Sequence, residues 1–264
     1  DTEQATGRWQ SVGAGLVERG CAAYSSIATM DNTTLWLADD LTIRRLNGRT
    51  PQRISTHWFE YQIQRFSVVS DAVAFGHTWN GHKIYTITFP SEGRTFCLDL
   101  NTGLPHERRT WEQPYYRGIA SVPGLETESL IGSAFTGEVF RQDENVFQES
   151  GEYIERVLRT PYTYTPNGEP LEVNEVGLIL DTGRSVTNLD LSESRLMMRY
   201  TYDGRNWSDE RTAGLGDVGR YGVKVKWNQV GQSQTGRVAF EYRLTASVPF
   251  RVVRGYGNIE QGLS

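Results

Sequence analysis

The sequence is poor in the residues that build covalent or metal frameworks. Among its 264 residues are only two cysteines, Cys21 and Cys97, and four histidines, His57, His77, His82 and His106. Two widely spaced cysteines make neither a disulfide framework nor a zinc signature. They are expected as free, half-buried thiols in a protein assembled in a reducing cytoplasm. His77 and His82 flank Trp79-Asn80-Gly81 and could approach across a hairpin, but a metal site wants three or four ligands and a supporting shell. No metal and no other cofactor is expected. No apolar run approaches the ~18 residues of a membrane span, so no membrane anchor is expected. No basic leader with an apolar segment opens the chain, which leaves no visible export signal. The chain starts Asp1-Thr2-Glu3 without Met, and further sequence is expected ahead of it.

A basic surplus is missing too. Lys and Arg number 27 against 32 Asp and Glu, a net charge of -5. Proteins that grip phosphates carry the opposite balance, so tight DNA binding is disfavoured, although repulsion from an acidic surface lets DNA slide. Phosphate-binding glycine loops and the Gly-x-Ser-x-Gly elbow of serine hydrolases are absent. Gly214-Leu215-Gly216-Asp217-Val218-Gly219 is glycine-rich, but no helix follows it to receive a phosphate; it reads as a mobile loop. Asp39-Asp40 adjoins a strand end and reads as a turn, because neighbouring side chains on extended chain point apart.

What is present is period-2 alternation, with almost no helical periodicity. Tyr85, Ile87 and Phe89 share a face opposite Ile84, Thr86 and Thr88. Phe96, Leu98 and Leu100 repeat the pattern, as do Leu196, Met198, Tyr200 and Tyr202, and Tyr221, Val223, Val225 and Trp227. The cleanest strand sets Val238, Phe240, Tyr242 and Leu244 against Arg237, Glu241 and Arg243. Such strands pack one face inward and wet the other. Asn47-Gly48, Asn80-Gly81, Asn167-Gly168 and Asp203-Gly204 supply the positive φ that tight hairpins require.

The fold class is therefore all-β. Residues 1–150 hold three loosely repeated hairpins: Thr34–Ala38 with Ile43–Leu46, Lys83–Phe89 with Thr95–Leu100, and Ser129–Phe135 with Glu138–Arg141. Their ~50-residue spacing falls in the range of propeller blades. A closed propeller needs at least about four, so the blade set is expected to be incomplete at the N-terminus. Thr160–Pro170, with three prolines and an Asn-Gly, reads as a bend or linker. Residues 151–264 carry short strands without the blade rhythm and are expected to form a C-terminal β-sandwich.

Two local motifs stand out. Tyr202-Asp203-Gly204-Arg205-Asn206-Trp207 resembles the Asp-box of sialidase-like propellers. Asp203 would accept backbone hydrogen bonds, Gly204 would supply positive φ and Trp207 would pack beneath, which makes it a structural turn. It also raises two alternatives, a sialidase-like glycan-processing propeller and a non-catalytic glycan-binding adhesin. A glycosidase needs two placed carboxylates, or a Tyr nucleophile with an arginine cluster, and no such constellation stands out, so no catalytic residue is assigned. Trp111, Tyr115, Tyr116 and Arg117 form an aromatic–arginine cluster suited equally to protein contact and to packing.

Four stretches in order carry a wider likeness. They are Glu18–Ala23 with Leu35–Asp40; Gln52–Thr56 followed by Asp71–Ala74; Gly81–Pro90 followed by Cys97–Gly103; and Tyr202–Trp207 with Gly219–Gly222, Val225–Trp227 and Arg243-Leu244. Together they resemble the C-terminal half of the packaged-DNA stabilisation (tail hub or nozzle) family of short-tailed bacteriophages. Leu104–Glu107 departs from it, since a Trp would be expected soon after the Asn101-Thr102-Gly103 turn. The resemblance implies a structural virion protein without enzymatic activity, assembled in the host cytoplasm. It would form a six-fold ring of its own copies below the portal or adaptor ring, carry tailspike, fibre or needle proteins, and line a channel for DNA passing without sequence-specific binding.

Overall fold

The computed structural model describes residues 17–123, 129–181, 194–216 and 222–261. Its regular structure is almost entirely β, and it divides between Glu144 and Asn145 into two compact units.

In the first unit, β1 (Ala28–Met30), β2 (Thr33–Leu37), β3 (Ile43–Asn47) and β4 (Thr50–Arg53) form a four-stranded antiparallel meander. A short helix, α1 (His57–Ile63), precedes a second meander of β5 (Val73–Trp79), β6 (His82–Phe89), β7 (Arg94–Asp99) and β8 (Pro105–Arg108). β9 (Gly118–Pro123), β10 (Ser129–Ser133) and β11 (Val139–Arg141) make a three-stranded sheet in the order β11-β10-β9. Among the described residues none of these sheets closes on itself. The turns have local causes. Asn80 and Gly81 both take positive φ, 47° and 80°, and pair Trp79 directly with His82, as the right-handed twist of a two-residue hairpin demands. Asp31 and Asn32 do the same between β1 and β2.

Helix α1 starts where the Thr56 side chain accepts the Phe59 N–H, the usual cap for an orphan donor. Phe59 and Ile63, four residues apart, are buried together, and Phe59 meets Phe96 edge-on at 5.1 Å. They join Leu35, Leu37, Ile43, Tyr85, Ile87, Phe89 and Leu98 in one core.

The alternation of β6 implies a wet face, and the structure corrects this: Thr86 and Thr88 are as buried as Tyr85 and Phe89. The third sheet covers that face, with Ser121 and Ser129 donating to the Gly76 and Thr78 carbonyls. The threonines tolerate burial because their hydroxyls find partners. Thr88 lies 2.9 Å from Thr95 Oγ1, and Thr86 lies 3.4 Å from Cys97 Sγ. The two free cysteines also part company, Cys21 being exposed and Cys97 buried.

The second unit begins with a two-stranded hairpin, β12 (Gln148–Glu149) and β13 (Glu152–Tyr153), joined to no larger sheet among the described residues. The remaining strands are β14 (Arg156–Arg159), β15 (Thr163–Tyr164), β16 (Leu171–Asp181), β17 (Arg195–Thr201), β18 (Arg211–Gly214), β19 (Val223–Ser233), β20 (Arg237–Leu244) and β21 (Arg251–Gln261). One sheet runs β14-β20-β17-β18, with β15 also on β20; the other runs β19-β16-β21. Their apolar sides share a single core, Leu171, Val173, Val176, Leu178 and Leu180 from β16 meeting Leu196, Met198, Phe240 and Tyr242. This is a β-sandwich. The stretch Thr160–Pro170 is not a free linker: Thr160 and Thr165 donate to the Phe240 and Gly236 carbonyls and lace it to β20.

Strand β16 changes phase part-way. Leu171 and Val173 are buried, then Val176, Leu178 and Leu180. The register shifts against both neighbours between Val173 and Glu175: Asn174 is the extra residue against β21, whereas on the other side Gln229 and Val230 of β19 stand opposite Asn174 alone. The bulge absorbs the change of parity, so Val176, Leu178 and Leu180 face the same core as Leu171 and Val173.

Candidate functional site

The Asp203 turn connects β17 to the segment leading into β18. Asp203 Oδ1 accepts the N–H groups of Arg205 and Asn206, each at 2.8 Å, and the Thr201 hydroxyl at 3.1 Å. Asn206 donates to Oδ2 at 2.6 Å. The backbone hydrogen bonds from Asn206 and Arg205, more than burial, hold the Asp203 carboxyl well below the usual carboxylate range. A carboxylate fixed in its charged form is a poor general acid. Gly204 takes φ 79°, and a Cβ there would also meet the Tyr162 hydroxyl at 2.5 Å.

Trp207 ends the turn motif, and its ring contacts lie with charged side chains of the sheet. Its ring lies against two guanidiniums, Arg199 at 4.9 Å and Arg159 at 5.7 Å. Both arginines converge on Glu241, which sits directly opposite each of them in the sheet. Arg199 Nε and Arg159 Nε donate to its two oxygens at 2.6 and 2.5 Å, and Arg243 adds a longer contact at 3.4 Å. The pattern-based expectation that Glu241 faces solvent is therefore corrected: its side chain is buried. Burial pushes its carboxyl up, but the hydrogen bonds and charges of Arg199 and Arg159 outweigh that and hold it below the ordinary value. The row Arg159–Glu241–Arg199 depends on the strand order that sets β14 and β17 on either side of β20, which the sequence does not carry.

In the first unit the aromatic–arginine cluster divides. Tyr116 is buried with Phe75 and Ile131, with the Arg108 guanidinium 5.0 Å from its ring. Its side chain is a packing element, not surface. Arg117 lies over Phe140 at 5.1 Å. Tyr115 pairs with Phe135 at 4.9 Å, and Trp111 and Phe135 are both exposed. What remains outside is thus Trp111 and the Tyr115–Phe135 pair.

The histidines build no common site. His82 Nδ1 is 2.7 Å from Asp99 Oδ2, whereas His77 is buried beside Phe75. Among the described residues no group of three or more His, Cys, Asp or Glu side chains is placed to hold a metal, and no helix is long and apolar enough to cross a membrane. Asp40 is tied up in its own turn, accepting from Thr42 and Arg44; these partners overcome burial and lower its pKa to about 2. In the glycine-rich stretch, Leu215 is buried and donates to the Ser194 carbonyl, while 217–219 lie outside the described residues.

The sandwich sheets, the Asp203 turn and the Arg159–Glu241–Arg199 row all fall in one sequence interval. Residues 155–260 match the family model of the bacteriophage P22 Gp10 β-sandwich. The Gp10-like interval runs from just before β14 almost to the end of β21 and includes every strand of the two packed sheets except the last residue. The first unit lies outside it. No curated protein matches the chain.

Proposed function

We propose that this chain is a structural virion protein of a short-tailed bacteriophage, a tail hub or nozzle subunit below the portal. In this role it extends the DNA channel, retains packaged DNA and carries other tail proteins. The observation that carries the reading is the match of residues 155–260 to the P22 Gp10 β-sandwich. The first unit supports it. Its two four-stranded meanders and the three-stranded sheet after them have the strand order of successive propeller blades, and we assign residues 1–150 to blades and 151–264 to the sandwich. The acidic balance suits a channel wall that DNA slides past. Copies would form a six-fold ring in contact with the portal or adaptor and with tailspike, fibre or needle proteins, after assembly in the host cytoplasm. Trp111 and the Tyr115–Phe135 pair are the proposed contact residues of the first unit.

The test is electron microscopy and mass spectrometry of purified particles from the phage encoding the chain. The expected result is a six-fold ring of this chain below the portal, and particles made without it that lose their DNA. Absence of the chain from purified virions, or a single copy per particle, overturns the proposal.

A further inference from the structure

One strand of the sandwich unit keeps an open edge. Strand β21 has 11 residues and bonds along one side to β16 only. Its outer edge has no backbone partner among the described residues, and Val252 and Val253 on it are exposed. A long open edge is a template for another strand. The opposite edge of the same sheet is treated differently: Arg211 donates to the Asn228 and Gln229 carbonyls of β19.

The register with β16 sorts the side chains of this edge by face, because residues directly opposite each other share one. Val252 and Ile259 stand opposite the core residues Leu180 and Val173. Arg251, Tyr256 and Glu260 stand opposite Asp181, Gly177 and Glu172, which alternate with the core residues of β16 and so lie on the outer face. Val253 is the extra residue where the register shifts between Ile179 and Leu180. Opposite charges therefore mark the two ends of one face of the edge. Arg251 and Glu260 are both exposed, and neither forms an ion pair among the described residues. Glu260 also lies directly across from Glu172. Such a like-charge pair is destabilising, and a cation beyond the edge would offset it.

The order is self-complementary. Turned antiparallel about Tyr256, a second β21 sets Tyr256 against Tyr256 and Gly255 against Gly257. With Val253 left out as the bulged residue, it sets Val252 against Ile259 and Arg251 against Glu260. These pairs match core side with core side and outer face with outer face, as strand pairing requires. We infer that the β21 edge pairs with β21 of a second copy about a two-fold axis beside Tyr256, joining two three-stranded sheets into one continuous sheet. Each copy then supplies the cation that Glu260 of the other lacks, and each open edge gains backbone partners. A two-fold contact is isologous and joins copies in pairs. It does not by itself close a six-fold ring, so it goes beyond the ring proposed above and does not rest on it.

The test is sedimentation equilibrium of the full chain with two charge reversals. Arg251→Glu and Glu260→Arg, each alone, set like charges against each other at both ends of the contact and are expected to weaken the dimer about tenfold. The double variant Arg251→Glu/Glu260→Arg recreates both attractions and is expected to dimerise like the wild type. The two-fold axis is read separately by a disulfide. Tyr256→Cys in a Cys21→Ser background is expected to cross-link to itself under mild oxidation, since facing positions of a strand pair lie within disulfide reach, whereas Glu260→Cys in the same background is not. Circular dichroism checks each fold, and the cross-link decides where a charge variant does not fold. A wild-type chain that stays monomeric at its highest soluble concentration, a double variant no better than the single ones, or a Tyr256→Cys chain that does not cross-link overturns the inference. A six-fold ring in the particle without this cross-link removes the contact and leaves the proposed function standing.

Discussion

Glu241 is the buried counter-charge that Arg159 and Arg199 share on one face of their sheet. Taking away its carboxylate leaves Arg159 and Arg199 crowded beneath Trp207 with no counter-charge. Glu241→Ala is expected to cost about 3 kcal/mol, measured as a lower urea midpoint, whereas Trp207→Leu, which removes only the ring stacked on the two arginines, costs about 1 kcal/mol. His77 makes the opposite demand, for neutrality. Among the described residues neither of its ring nitrogens has a hydrogen-bond partner. Burial, with Arg108 and His106 nearby, lowers its pKa to about 3. Because the folded value lies below the unfolded one of about 6.5, its protonation favours the unfolded chain. Stability is full above pH 6.5 and is lost toward pH 3, by about 1.4 kcal/mol per pH unit in that window. Urea titrations at pH 7 and pH 5 read this slope, and His77→Phe is expected to flatten it. The Asp203 turn was legible in sequence because its partners lie within three residues. The burial of Glu241 was not, because its clamp includes Arg159, a residue 82 positions away.

At the scale of elements, alternation found the strands where the phase holds. It located β6, β7, β17 and β20, but it could not tell a wet face from one covered by a further sheet, as β6 demonstrates. Helix α1 escaped because seven residues span barely two turns, too few for a 3.6 period to register. Strand β16 hid its phase change for a different reason: Asn174 reads as one more polar residue. Its neighbour Gly177 explains itself only in three dimensions. A Cβ there would fall 2.5 Å from both the Tyr256 hydroxyl and the Val225 carbonyl. The tyrosine can give way but the backbone cannot, so Gly177→Ala is expected to cost about 1–3 kcal/mol, read by thermal unfolding. Tyr256→Phe removes a buried hydroxyl that has no hydrogen-bond partner among the described residues and is expected to raise stability by about 1 kcal/mol.

At the scale of the molecule, the two units keep separate cores, one drawn from residues 22–100 and the other from residues 171–259. A chain starting at Asn145 is expected to fold alone, with the near-ultraviolet dichroism of a packed aromatic core; a spectrum with no near-ultraviolet signal would contradict it. The sheet order within the sandwich could not be read from the sequence, since β14 and β20 are paired but lie far apart in the chain. The crease at Asn174 carries a mechanical consequence. Sliding β16 by two residues, the smallest slip that keeps side-chain parity, would move the inserted residue away from the matching irregularities of both neighbours. The strand is therefore keyed in place, like a shaft held by a pin. Tension along the chain must shear the keyed joint as a unit before the sandwich can yield.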